Sequence, residues 1–177
     1  WALDIGAMSM FFYTFREREV IYNLYEMLTG ARMTTSYTRI GGVMADVTPD
    51  FMTATKNFVA MMDGKINDYE RLLSKNRIWV RRTRGVGVIS AEEAIDIGMT
   101  GPALRASGVE WDLRRDRPYL VYPELDFNVV TATAGDVYDR YWVRVQEMRE
   151  SLKILRQVLE KMPAGPERTA LAMKLFG

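Results

Sequence analysis

The 177-residue chain contains no cysteine and no histidine. The first absence excludes a disulfide framework, a thiolate nucleophile and any zinc or iron–sulfur site built on the chain's own thiolates. The second removes serine–histidine and cysteine–histidine catalysis together with the commonest metal ligand. An excess of either charge is also lacking. With 24 Lys plus Arg against 23 Asp plus Glu, no global field favours nucleic acid or an anionic membrane surface. No uncharged apolar run reaches the roughly 20 residues that span a bilayer. The longest, residues 5 to 15, stops at Arg16.

What is present reads as one soluble, globular domain, since 48% hydrophobic and 27% charged residues suffice for a genuine core. The chain opens at Trp1 inside an apolar pattern, without Met, signal peptide or N-cap, and so reads as a piece of something longer. Within that opening run one acid, Asp4, precedes every other charge. Burying an ionised carboxylate is expensive unless it is paired or keeps its proton, so Asp4 needs a structural or a chemical reason.

Helical periodicity dominates. Leu3, Ala7, Met10, Phe11 and Phe15, then Ile21, Leu24, Tyr25 and Leu28, predict a helix from Trp1 to Thr29 that Gly30 stops. Residues 31 to 43, rich in Thr, Ser and Gly, predict a loop. Thr48 followed by Pro49 predicts an N-cap and first turn, with Phe51, Ala54, Phe58, Met61 and Met62 on the apolar face. Gly64 is a potential interruption before Ile66, Tyr69, Leu72 and Leu73. Ser90 with Glu93 forms a capping box for AEEAIDIG, and Gly101–Pro102 starts a short turn through Arg105. Residues 107 to 134 lack helical period and suggest one short strand around residues 125 to 129. Val137, Tyr141, Val145, Met148, Leu152, Leu155, Leu159 and Met162 predict a last long helix closed by Pro163 and Gly165. Asp136, Asp139 and Arg140 at its start read as capping. The fold class is therefore mainly α, a helical bundle with short irregular or β segments.

The basic residues Arg32, Arg39, Arg77, Arg81, Arg82 and Arg84 include RIWVRRTRG, where an aromatic is interleaved with arginines. Near-zero net charge argues against nucleic acid, and ion pairs with Glu92, Glu93 or a partner are expected instead. GVGV, residues 85 to 88, lacks the dinucleotide fingerprint.

The blocks ALDIGAMSMFFYTFRERE, YEMLTGARM, YTRIGG, NRIWVRRTRGVGVISAEEA, GPALRASG, WDLRRDRPY and GDVYDRYWVRVQEMRESL together resemble one family. They are similar to the 49-kilodalton (49 kDa) subunit of proton-pumping NADH:quinone oxidoreductase, respiratory complex I. The resemblance runs from Trp1 to about Gly165, the central helical part of one domain, and leaves residues 166–177 as a weakly patterned tail. It implies a relationship to the large subunit of nickel–iron hydrogenases, whose metal-binding cysteine pairs this chain lacks.

The resemblance further implies a subunit without a redox cofactor of its own. It would help to form a quinone headgroup chamber beside a partner subunit carrying the terminal [4Fe–4S] cluster, with FMN and NADH on other subunits. It implies contact with the membrane only through the complex, in a peripheral arm on the cytoplasmic side of a bacterial plasma membrane or the matrix side of a mitochondrial one. Asp4 matches the aspartate of the ALDIGAM motif, coupled to a histidine outside this chain, and the resemblance gives it the catalytic, proton-relay role. Phe11 and Phe15 match pocket-lining positions for the quinone. Arg32, Met33 and Thr34 match the loop near the cluster, and no metal ligand is expected. The chain by itself is not expected to be active. The rival reading is a structural or assembly component of a related ferredoxin- or hydrogenase-type complex.

Many members of that family place histidine after GARM, whereas this chain reads MTTSY, and neither Thr34 nor Thr35 titrates near neutral pH. The potential of the neighbouring cluster is therefore expected to depend weakly on pH. A redox titration with a strong dependence near neutral pH would count against it.

Overall fold

The structure, a computed structural model, describes residues 1–40 and 42–162. Pro163, Gly165 and the predicted tail lie outside the described residues. The chain is mainly α, with one small β-hairpin among the described residues.

The first helix is shorter than its periodicity predicts. Leu3–Ile5 form a 3-10 turn, and Gly6 at φ 78° donates its N–H to the Leu3 carbonyl at 2.9 Å. That left-handed residue breaks the run, and α1 (Met8–Thr29) starts behind it, ending on left-handed Gly30 as expected. The predicted loop contains two short strands, β1 (Thr38–Arg39) and β2 (Gly42–Val43), paired antiparallel with Thr38 opposite Val43.

α2 (Pro49–Tyr69) opens on the Thr48 cap, whose hydroxyl accepts from the Phe51 N–H at 3.2 Å. It passes through Gly64 without a break. Buried Met62 and Ile66 on either side hold the helix against the roughly 1 kcal/mol that an interior glycine costs. At Glu70–Ser74 the backbone widens into a π turn. Asn76 then caps α3 (Arg77–Thr83), a helix that the apolar periodicity did not announce, by accepting from the N–H groups of Ile78 and Trp79.

α4 (Ala91–Asp96) and α5 (Gly101–Arg105) form as expected. A further turn, α6 (Leu113–Asp116), is capped by Asp112. The expected strand at residues 125 to 129 does not form. Leu125 and Phe127 are buried and their neighbours exposed, as in a strand, but the ladder positions are taken by α7 (Val137–Lys161). Gln157 accepts from the Asp126 N–H and Glu150 from the Asn128 N–H, both at 2.8 Å, so the extended segment lies along a helix instead of beside another strand.

α2 lies between α1 and α7. Phe58, Val59, Met62, Ile66 and Tyr69 of α2 share one core with Met10 and Leu24 of α1 and Tyr141, Val145 and Leu152 of α7. An antiparallel polar ladder fixes α2 against α7: Asp63 pairs with Arg156, while Asn67 and Glu70 both meet Arg149. Trp79 plugs α3 into the same core, its ring edge-on to Tyr141 at 5.0 Å.

The irregular half is held by buried charge. Arg105, 5% exposed, ion-pairs with Glu147 of α7, donates to the Trp111 carbonyl at 2.9 Å and lies 3.8 Å from Asp112. Asp112 is buried too and grips Arg114 through both carboxylate oxygens. Gly135, at φ 63°, lets the chain enter α7, because a Cβ there would stand 2.2 Å from the Ile89 carbonyl oxygen.

Hydrogen bonds from Arg114 hold the Asp112 carboxyl below the usual carboxylate range. A depressed folded-state pKa contributes stability above the unfolded value, near 4, that is lost as pH falls through the folded one. Asp112→Asn should cost about 3 kcal/mol at pH 7 and flatten the acid side of the stability profile, read by urea unfolding between pH 3 and 7.

Candidate functional site

Phe11 and Phe15 stand one turn apart on α1 with ring centroids 4.2 Å apart. Phe11 is half-buried, whereas Phe15 is 39% exposed. Phe12 meets Phe11 edge-on at 5.6 Å. The stacking continues up the helix. The Arg18 guanidinium lies over both Phe15 and Tyr22, at 5.3 and 5.1 Å, and Arg32 lies over Tyr22 at 5.7 Å. Positions 11, 15, 18 and 22 follow helical spacing, so one face of α1 carries a continuous column of rings and guanidinium groups roughly 16 Å long.

Arg32 closes the column. It pairs with Glu19, donates to the Asn23 side chain at 2.8 Å, and approaches Glu26 at 3.9 Å. The loop after α1 is thereby pulled back onto the helix. Met33 is exposed, and Thr34 adopts φ 53°, an uncommon conformation for a β-branched residue. Phe11, Phe15 and Arg32 therefore share one surface, with Met33 and Thr34 beside it.

Asp4 is set apart from that column. It sits on the 3-10 turn before Gly6, and its side chain is 81% exposed. The early acid is thus not buried in this chain, contrary to what its apolar neighbours suggest. Those neighbours belong to a turn and not to a helix face.

The buried acid of this region is Glu17, 3% exposed on the inner side of α1. It accepts from the Tyr69 hydroxyl at 2.7 Å and from Arg16 Nε at 2.8 Å, and Lys65 stands at 4.0 Å. Burial, reinforced by the bond to Glu17, raises the Tyr69 phenol well above its usual range, so it stays protonated as a donor. A cavity of about 390 Å³ beside the column is lined by Glu17, Arg18, Tyr22, Tyr25 and Tyr69. Glu17 was legible in principle: Met10, Glu17 and Leu24 recur every seven residues on the buried stripe, and the acid is its polar member. No group of three or more His, Cys, Asp or Glu residues suited to a metal occurs among the described residues.

Fold and surface together define a helical scaffold chain that presents an aromatic and cationic face. A family model described as respiratory-chain NADH dehydrogenase, 49 Kd subunit, matches residues 4–175, and the chain belongs to that family. It is 53% identical over 164 residues to an NADH-quinone oxidoreductase subunit of this family from Rhizobium etli, covering 93% of this chain and 41% of the relative. Identity is 54% over 165 residues to the corresponding protein of Geotalea uraniireducens, with 93% and 42% covered. It is 56% over 165 residues to that of Trichlorobacter lovleyi, again with 93% and 42% covered. The chain thus spans about two fifths of the length of these relatives.

Tyr69→Phe removes the phenolic donor to a buried carboxylate while keeping the ring. It should cost about 2 kcal/mol by denaturant unfolding. An unchanged midpoint would remove Tyr69 from the support of Glu17.

Proposed function

We propose that this chain is part of the quinone-site subunit of a proton-pumping NADH:quinone oxidoreductase and forms one wall of the quinone headgroup chamber. The observation that carries the reading is the aromatic column on α1, which joins Phe11 and Phe15 to the Arg32 loop in a chain of this family. Aromatic rings suit a flat apolar headgroup, and a half-exposed pair offers a face to it without unfolding the core. Residues 1–165 are the central helical part of one domain in this reading, and residues 166–177 a tail.

Reduction of a quinone to a quinol takes up two electrons and two protons. Electrons come from a partner subunit whose terminal [4Fe–4S] cluster supplies them one at a time, and FMN and NADH belong to other subunits. The part of this chain is to hold the headgroup against Phe11 and Phe15 and to supply or restore a proton. Asp4, exposed on its turn, is available to a donor on a neighbouring segment and is the proton-relay candidate. Arg32, Met33 and Thr34 face the cluster-bearing partner. The membrane is reached through the complex, from a peripheral arm on the cytoplasmic side in a bacterium or the matrix side in a mitochondrion. No helix among the described residues is long and apolar enough to cross a membrane.

Asp4→Asn in the whole complex should lower quinone reduction at least about tenfold while sparing NADH oxidation by an artificial acceptor. Unchanged quinone turnover would remove Asp4 from the mechanism.

A further inference from the structure

The basic segment has a geometry that the quinone site does not use. Between residues 75 and 84 the sequence places Lys75, Arg77, Arg81, Arg82 and Arg84 with no acid among them. Of the partners expected from the sequence, Glu92, Glu93 or another chain, neither Glu92 nor Glu93 pairs with these arginines among the described residues. Among the described residues none of the five cations forms a salt bridge. The patch is nevertheless rigidly mounted. Trp79 and Thr83, one turn apart, are buried and fix α3 by one face, so Arg77, Arg81 and Arg82 stand outward. Ile78, 60% exposed, lies among them.

Alongside α3 the patch borders a cleft of about 570 Å³ between the π turn and α7. Lys75, Ser74 and Arg84 line its walls, with Tyr138 and Trp142 behind them. Arg84 is stacked over Tyr138 at 4.5 Å, and the Tyr138 hydroxyl donates to the Ser74 carbonyl at 3.1 Å, which fixes the aromatic wall.

We propose that α3 and this cleft form a docking surface for an acidic segment of a neighbouring polypeptide in the assembly, its carboxylates on the cations and an apolar or aromatic residue in the cleft. Three features select a protein over a small anion or a nucleic acid. The cations are spread along the whole of α3, a length of roughly 10 Å, too far for one phosphate group. Glu70 also lines the cleft and disfavours a dianion there. An exposed isoleucine ringed by arginines, next to tyrosine and tryptophan, has the composition of a protein interface. Unpaired exposed cations of this kind steer a partner and set register more than they add affinity, so docking should be salt-sensitive.

The test uses the complete subunit in its complex. Carbodiimide cross-linking read by mass spectrometry should join Lys75 to an Asp or Glu of a different subunit. Reversing two charges, Arg81→Glu with Arg82→Glu, should weaken retention of the subunit about tenfold at moderate salt, while Arg81→Lys with Arg82→Lys retains it. Quinone turnover per assembled complex should be unchanged, which separates this surface from the quinone chamber. A Lys75 link confined to its own subunit, protection of Lys75 from acetylation by ATP or a single-stranded oligonucleotide, or retention indifferent to charge reversal would each overturn the proposal.

Discussion

α2 lies between α1 and α7 and has to bury side chains toward both, and the hydrogen bond from Tyr69 to Glu17 is where that requirement meets a charge. A carboxylate this deep is tolerable only with donors in place, and Tyr69 and Arg16 supply them directly, with Lys65 nearby. The same helix and the π turn after it turn their other side to α7, where Asp63, Asn67 and Glu70 meet Arg156 and Arg149. Toward α1 the polar contact lies inside the apolar interface, whereas toward α7 the polar pairs line its rim. The aromatic column on α1 depends on that arrangement, because the rotation of α1 that buries Met10, Glu17 and Leu24 is the one that leaves Phe15, Arg18 and Tyr22 at the surface.

The second half of the chain solves a different problem. Residues 107 to 134 have little periodic apolar character, and α4, α5 and α6 are too short to be stable alone. Charge anchors α5 and α6 instead: Arg105 of α5 reaches Glu147 of α7, Asp112 collects Arg114 of α6, and Arg114 and Arg115 both lie over the fully buried Phe127 ring at 4.8 Å. Buried ion pairs are costly to form and costlier to break halfway, so they specify this packing more than they strengthen it.

Much of the architecture could be read from residue order. The long helices α2 and α7, the Thr48, Ser90 and Asp136 caps, and the Gly30 stop were all legible, because capping and amphipathic spacing are local properties. The start of α1 was not. An apolar pattern does not reveal that Gly6 is left-handed. The extended stretch at residues 125 to 129 had the alternation of a strand, but only tertiary contact decides whether its N–H groups meet a strand or the Gln157 and Glu150 side chains.

For the candidate site, the sequence by itself determined which residue types were available: no thiolate, no imidazole, an early acid, and phenylalanines one turn apart. It also determined the family, through blocks too long to recur by chance. Which carboxylate of the first thirty residues is buried was decided by the tertiary structure, and it is Glu17 and not Asp4, the seven-residue spacing of Met10, Glu17 and Leu24 being only a hint of it. Burial depends on what packs across a helix from elsewhere in the chain. The phenol that makes Glu17's burial tolerable lies 52 residues away, on α2.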